Sequence, residues 1–210
     1  MPLTNSINLS NDLQILIWNI EESLEVLEKN LKLSEADKVR FQKRKITAHQ
    51  KEFLASRRLL MEAGVSPEEL SHDTDGIPHL RSGQQLSISH TRNLAGIALG
   101  KKSLGIDLEI YRPKILDIAN RFLHPDESFA LEGIRKVEKL SMIWTAKEAL
   151  YKALKQKGII FSKQLIVSPF TWGVKSGSAK VFISDQIFHF SLKFIVEKTY
   201  CGTLAISNNF

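Results

Sequence analysis

Apolar residues fall into two kinds of pattern along the chain. Short blocks that alternate with polar residues or run apolar for a few positions read as strands: LQILIWNI (13–20), QLSIS (85–89), LAGIALG (94–100) and SLGIDLE (103–109) in the first half, then KVFIS (180–184), IFHFSLKFIV (187–196) and GTLAIS (202–207). Between these blocks the spacing turns helical. Ile46, Phe53, Leu54 and Leu60 fall near helical spacing in a basic stretch, which predicts a long helix there. Ser34 with Asp37 three positions on forms a capping box ahead of it, Gly64 is a natural stop, and Ser66-Pro67-Glu68-Glu69 starts a further short helix. A second helical region runs from Ile115 to about Lys157. The outcome is an α/β (α+β) fold. LSISHTRNLAGIALG and FSLKFIVEKTYCGTLAIS both read as strand, polar turn, strand, an echo that predicts two similar lobes, 1–103 and 104–210.

Composition narrows the class. A chain of 210 residues with 43% hydrophobic and 25% charged content buries a substantial core, which argues against disorder. MPLTNSINLSNDLQ does not resemble a charged leader with an apolar core, and no run approaches the ~20 apolar residues of a membrane span. A cytoplasmic protein with no membrane partner is expected. The single cysteine, Cys201, cannot form an internal disulfide and is expected in the core. The histidines show no paired i,i+3 or i,i+4 spacing, and there is no Cys-x-x-Cys, so zinc has no support. The net charge of +6 is concentrated: residues 38–58 hold eight Lys/Arg against one acid, Glu52. Such a run is either a solvated helix face or a site for phosphate groups or an acidic partner.

Two stretches carry the candidate chemistry. In LGIDLEI, Asp107 and Glu109 alternate with Ile106, Leu108 and Ile110, so the two acids share one face of a strand. Two adjacent carboxylates repel each other, and a hard, oxygen-loving cation such as Mg²⁺ would hold them together. In WTAKEALYKALKQ (144–156), Trp144, Glu148 and Lys152 follow each other at i, i+4 and i+8 on one side of a helix, with Lys147 about a quarter turn away. Glu148 is placed to supply a third carboxylate, and Lys152 to hold an anionic phosphate.

Together these motifs resemble the Sfp-type 4′-phosphopantetheinyl transferase superfamily: G-I-D-L-E (105–109) and W-T-A-K-E-A-L-Y-K (144–152), with R-F-L-H-P-D-E (121–127) between them and S-I-S-H (87–90) upstream. The resemblance implies a pseudo-twofold arrangement of two α/β lobes. It also implies transfer of the phosphopantetheine arm of coenzyme A to a serine of an acyl, polyketide or peptidyl carrier protein, with release of 3′,5′-ADP. By the same likeness Asp107, Glu109 and Glu148 would bind Mg²⁺, Glu148 would take the serine proton directly or through water, and Lys152 would steady the leaving phosphate. Lys147 would face the pyrophosphate, and Ser89 with His90 would contact the phosphate on the ribose. Glu127 is expected to support the metal ligands rather than to bind, and Trp144 to pack in the core.

The likeness departs at D-G-I-P (75–78), where Ile77 stands in the place of a lysine that many relatives direct at a phosphate of coenzyme A. Arg40, Arg44 and Lys45 are the substitutes the basic run offers. Carrier proteins are typically acidic, so the same run suits the acceptor. Two fused lobes make a monomer sufficient. Other classes fit less well. A Mg²⁺ nuclease would want a lysine where Tyr111 stands, and a nucleic-acid binder would need more aromatics than Phe41 and Phe53 in the basic run. A catalytically silent binder of carrier protein or coenzyme A is the remaining alternative.

Overall fold

The computed structural model describes residues 3–10, of which only the backbone is considered, and 12–208. Residues 1, 2 and 11, part of the segment read above as lacking a leader, lie outside the described residues. The chain divides into two compact units, Met1–Lys101 and Lys102–Phe210, and the fold is mixed α/β as the sequence predicts.

The first unit holds strands β1 (Leu3–Ser10) and β2 (Leu13–Asn19), helices α1 (Leu24–Glu28), α2 (Glu35–Gln42) and α3 (Thr47–Glu62), and strands β3 (Leu70–His72), β4 (Pro78–Leu80), β5 (Gln85–Thr91) and β6 (Leu94–Gly100). Its main sheet is antiparallel in the order β1-β2-β6-β5. Phe53, Leu54, Leu59 and Leu60 of α3 share a buried core with Leu16, Trp18, Ala95 and Ile97 of that sheet. The single basic helix expected from the spacing is two helices, parted at residues 43–46. The break has a physical cause: the Arg44 guanidinium turns back to donate to the Arg40 carbonyl and lies over the Phe53 ring, 4.3 Å from its centroid. Asp37 and Arg57 then tie the two helices with a buried bidentate pair, both bonds 2.8 Å long. The caps follow the sequence, since the Ser34 side chain accepts from the Asp37 N–H, and Gly64 beyond α3 takes a left-handed φ of +77°.

The second unit runs β7 (Leu104–Ile110), α4 (Ile115–Phe122), a 3-10 turn over Pro125–Leu131, α5 (Lys136–Leu154), α6 (Phe161–Gln164), β8 (Leu165–Val167), β9 (Ser176–Ile183), β10 (Gln186–Val196) and β11 (Tyr200–Ser207). The strands form one antiparallel sheet, β7-β11-β10-β9-β8. The helical region expected from Ile115 to about Lys157 comprises α4, the 3-10 turn and α5. His124 caps the turn that starts at Pro125, and Gly133 and Arg135 take left-handed φ values of 66° and 62° ahead of α5. The strand, turn, strand echo corresponds to an antiparallel hairpin in each unit, β5–β6 and β10–β11. Among the described residues no helix is long and apolar enough to cross a membrane.

Candidate active site

β7 and α5 approach each other unusually closely, and this is what assembles the site. Asp107 and Glu109 stand on the same face of β7 as Gly105. A Cβ added at Gly105 would collide with the Ala149 carbonyl and the Ala153 N–H of α5. The helix meets the strand with buried alanines, Ala146, Ala149 and Ala153, so its backbone can come this near. Thr145 of α5 ties the helix to the next strand, its hydroxyl 2.8 Å from that of Thr203, which pairs with Asp107 in the sheet register.

This packing brings side chains from the two motifs together. The Lys152 ammonium donates to Asp107 Oδ1 at 2.7 Å and to the Ile106 carbonyl at 3.0 Å. Glu148, one turn earlier, is half-buried, and burial first and the Asp107 charge second push its carboxyl above the usual range, with Lys152 opposing. Glu109 points elsewhere: its Oε1 accepts from the Ile110 N–H at 3.1 Å and lies 3.5 Å from the Arg112 guanidinium. Among the described residues no set of three His, Cys, Asp or Glu side chains is arranged to hold a metal ion. The donor chemistry nevertheless fits a hard divalent cation. Asp107 and Glu148 are oxygen donors that repel each other, and the Lys152 ammonium acts on both.

Lys147 departs from the position expected for it. Instead of facing a pyrophosphate it is sealed in the core, 0% exposed like its partner Glu127, with 2.7 Å between Nζ and Oε2. It also donates to the carbonyls of Phe122 at 2.6 Å and Phe161 at 3.0 Å, while Glu127 accepts from the N–H groups of His124 and Val167, both at 2.8 Å. Burial pulls the Lys147 ammonium below its ordinary value and Glu127 holds it up. Every polar atom of this pair that meets the core is answered, as a buried charge requires. Trp144 packs at 5.2 Å from Phe122 and 5.9 Å from Phe161, against the core as expected.

The remaining expected residues lie in the first unit. Ser89 is buried in β5, and His90 after it is half-exposed, its Nδ1 3.1 Å from Glu52 Oε2. Arg40 extends from α2 to the D-G-I-P turn, where a Cβ on Gly76 would sit 3.9 Å from its Nη2. Arg44 is the guanidinium stacked on Phe53, and Lys45 is exposed in the link to α3. Positive charge is dense enough here that His72 is driven down to about 4, by burial first and then by Arg40 and Arg57.

Residues 103–205 match the model of the 4′-phosphopantetheinyl transferase superfamily. Through this unit the chain is similar to that superfamily. A Synechocystis sp. protein, provisionally named a 4′-phosphopantetheinyl transferase, is 33% identical over 99 residues, covering 41% of this chain. The match spans only 40% of that relative's own length.

Within the second unit, sequence reasoning missed the Lys147–Glu127 pair, the Thr145–Thr203 contact and the steric role of Gly105. In the first unit it missed Glu52 as the partner of His90. For Glu52 a signal existed, because it is the single acid among eight basic residues over 38–58.

Proposed function

We propose that this protein transfers the 4′-phosphopantetheine group of coenzyme A to a serine of an acyl, polyketide or peptidyl carrier protein and releases 3′,5′-ADP. The observation that carries the reading is the convergence of Asp107, Glu148 and Lys152 from two separate motifs onto one face of β7. The superfamily match over the same unit supports it.

In this reading Asp107, Glu109 and Glu148 hold Mg²⁺, which when bound neutralises charge on the pyrophosphate of the donor. Glu109 would leave Arg112 to join them. The carrier serine oxygen forms its new bond to the phosphorus that bears the pantetheine arm, the bond from that phosphorus to the bridging oxygen breaks, and 3′,5′-ADP departs with the electron pair. Glu148 takes the serine proton, directly or through water. A carboxylate whose basicity is raised by burial and a neighbouring anion suits this role better than an ordinary surface acid. Lys152 steadies the phosphate oxygens as charge shifts to the leaving group. Ser89 and His90 contact the phosphate on the ribose. Arg40, which reaches the D-G-I-P turn where relatives carry a lysine, supplies the missing phosphate contact with help from Arg44 and Lys45. The protein acts as a cytoplasmic monomer.

The test is chromatographic detection of 3′,5′-ADP after mixing the protein with coenzyme A, an apo carrier protein and Mg²⁺. Release that tracks carrier modification and stops with EDTA is the expected result. Retention of coenzyme A without any 3′,5′-ADP would make the chain a silent binder.

A further inference from the structure

Glu52 is an anomaly in its surroundings. It is the one acid in a segment of eight basic residues, and it is 5% exposed on α3 rather than pairing with lysines at the surface. A buried carboxylate requires a donor. The donor is His90 of β5, with Nδ1 3.1 Å from Oε2, and the imidazole itself remains 48% exposed. An ionised carboxylate only accepts, so Nδ1 carries a proton in this pair. The other nitrogen, Nε2, can donate to a phosphate oxygen only if the ring is imidazolium, and a carboxylate on Nδ1 favours that form.

We propose that Glu52 is the positioning residue for His90: from the buried side it fixes the ring plane and the proton on Nδ1, and it sustains the cationic ring that meets the ribose phosphate of coenzyme A. The inference rests on the reading of His90 as a phosphate contact. It also explains the lone acid, since Glu52 answers one histidine rather than the basic face around it. Glu52 does not touch the donor and acts through His90.

The experiment compares Glu52→Gln and Glu52→Leu in the full chain, with coenzyme A and with 3′-dephospho-coenzyme A as donors. Leucine abolishes both the charge and the acceptor, and the KM for coenzyme A should rise about tenfold or more, the scale of a lost charge-assisted hydrogen bond. The kcat should hold, and the KM for the dephospho donor should be unchanged. Glutamine, which still accepts from Nδ1 without charge, should fall between wild type and leucine. ¹⁵N resonances of His90, assigned with His90→Gln, should move toward the neutral ring in Glu52→Leu at neutral pH. An equal loss with both donors, or a fall in kcat that tracks a fall in melting temperature, would make Glu52 a packing residue. Wild type that transfers while Glu52→Leu is indistinguishable from it overturns the inference alone. Wild type that binds neither donor overturns the functional reading and the inference with it.

Discussion

Asp107 and Glu148 both feel the charge of one lysine yet pull stability in opposite directions. Glu148 is held above the usual carboxylate range, so the folded protein keeps its proton to higher pH than the unfolded chain does. The cost of ionising it is absent at acid pH, appears as pH rises past the ordinary carboxylate value, and is complete once pH passes the raised value. Glu148→Gln should therefore melt higher than wild type at neutral pH, with the gap closing toward pH 4, while transfer is lost; thermal melts across that range check it. Asp107→Ala does the reverse, because it strands the partly exposed Lys152 ammonium that Asp107 accepts from at 2.7 Å. A loss of about 1 kcal/mol in urea unfolding is expected. Both acids were legible in the sequence through motif and period. Lys147 was not placed correctly, because a helical wheel gives the angle between Lys147 and Glu148 but not which side of α5 meets the core.

At the level of elements, α5 is fixed by two devices of different kinds. Steric fit is one: Gly105 admits the α5 backbone, and Gly105→Ala should cost about 3 kcal/mol by forcing helix and strand apart, and should reduce transfer in parallel because Glu148 moves with the helix. The other is the Lys147–Glu127 pair, which joins α5 to Phe122, His124, Phe161 and Val167. Lys147→Met alone leaves a buried carboxylate without its cation and should destabilise by about 3–5 kcal/mol. Lys147→Met with Glu127→Leu should recover most of that, so denaturant melts of the single and double variants separate an ionic lock from a ligand contact. The strands with strong apolar blocks were legible within a residue or two, except β9, which begins four residues before the expected KVFIS block. β1 (LTNSINLS) was missed because its sequence is largely polar, and β3, β4 and β8 because they are only three residues long. The basic helix was expected too long because periodicity does not register a guanidinium folding back at Arg44, and the capped turn at Pro125 inside the second helical region gave no periodic signal.

Over the whole molecule, charge and family evidence are divided unevenly. The superfamily match covers residues 103–205, so the second unit carries the likeness, while the first carries the basic segment and the S-I-S-H motif. If that segment guides an acidic carrier protein, reversing the exposed Lys43 to glutamate should raise the KM for carrier and weaken its salt dependence without changing kcat. Steady-state kinetics at two ionic strengths decide this. The fold class was legible because each unit groups its helices between short apolar strand blocks. The pairing of Glu52 with His90 was not, since it joins residues 38 positions apart on separate elements. The central claim is the transfer itself, and the most direct measurement is the intact mass of an apo carrier protein after incubation with this protein, coenzyme A and Mg²⁺. A gain of one phosphopantetheine group with wild type, absent with EDTA and with Glu148→Gln, is the predicted result. An unchanged mass across fatty-acid, polyketide and peptide carriers, from a protein that is folded and binds coenzyme A, would contradict it.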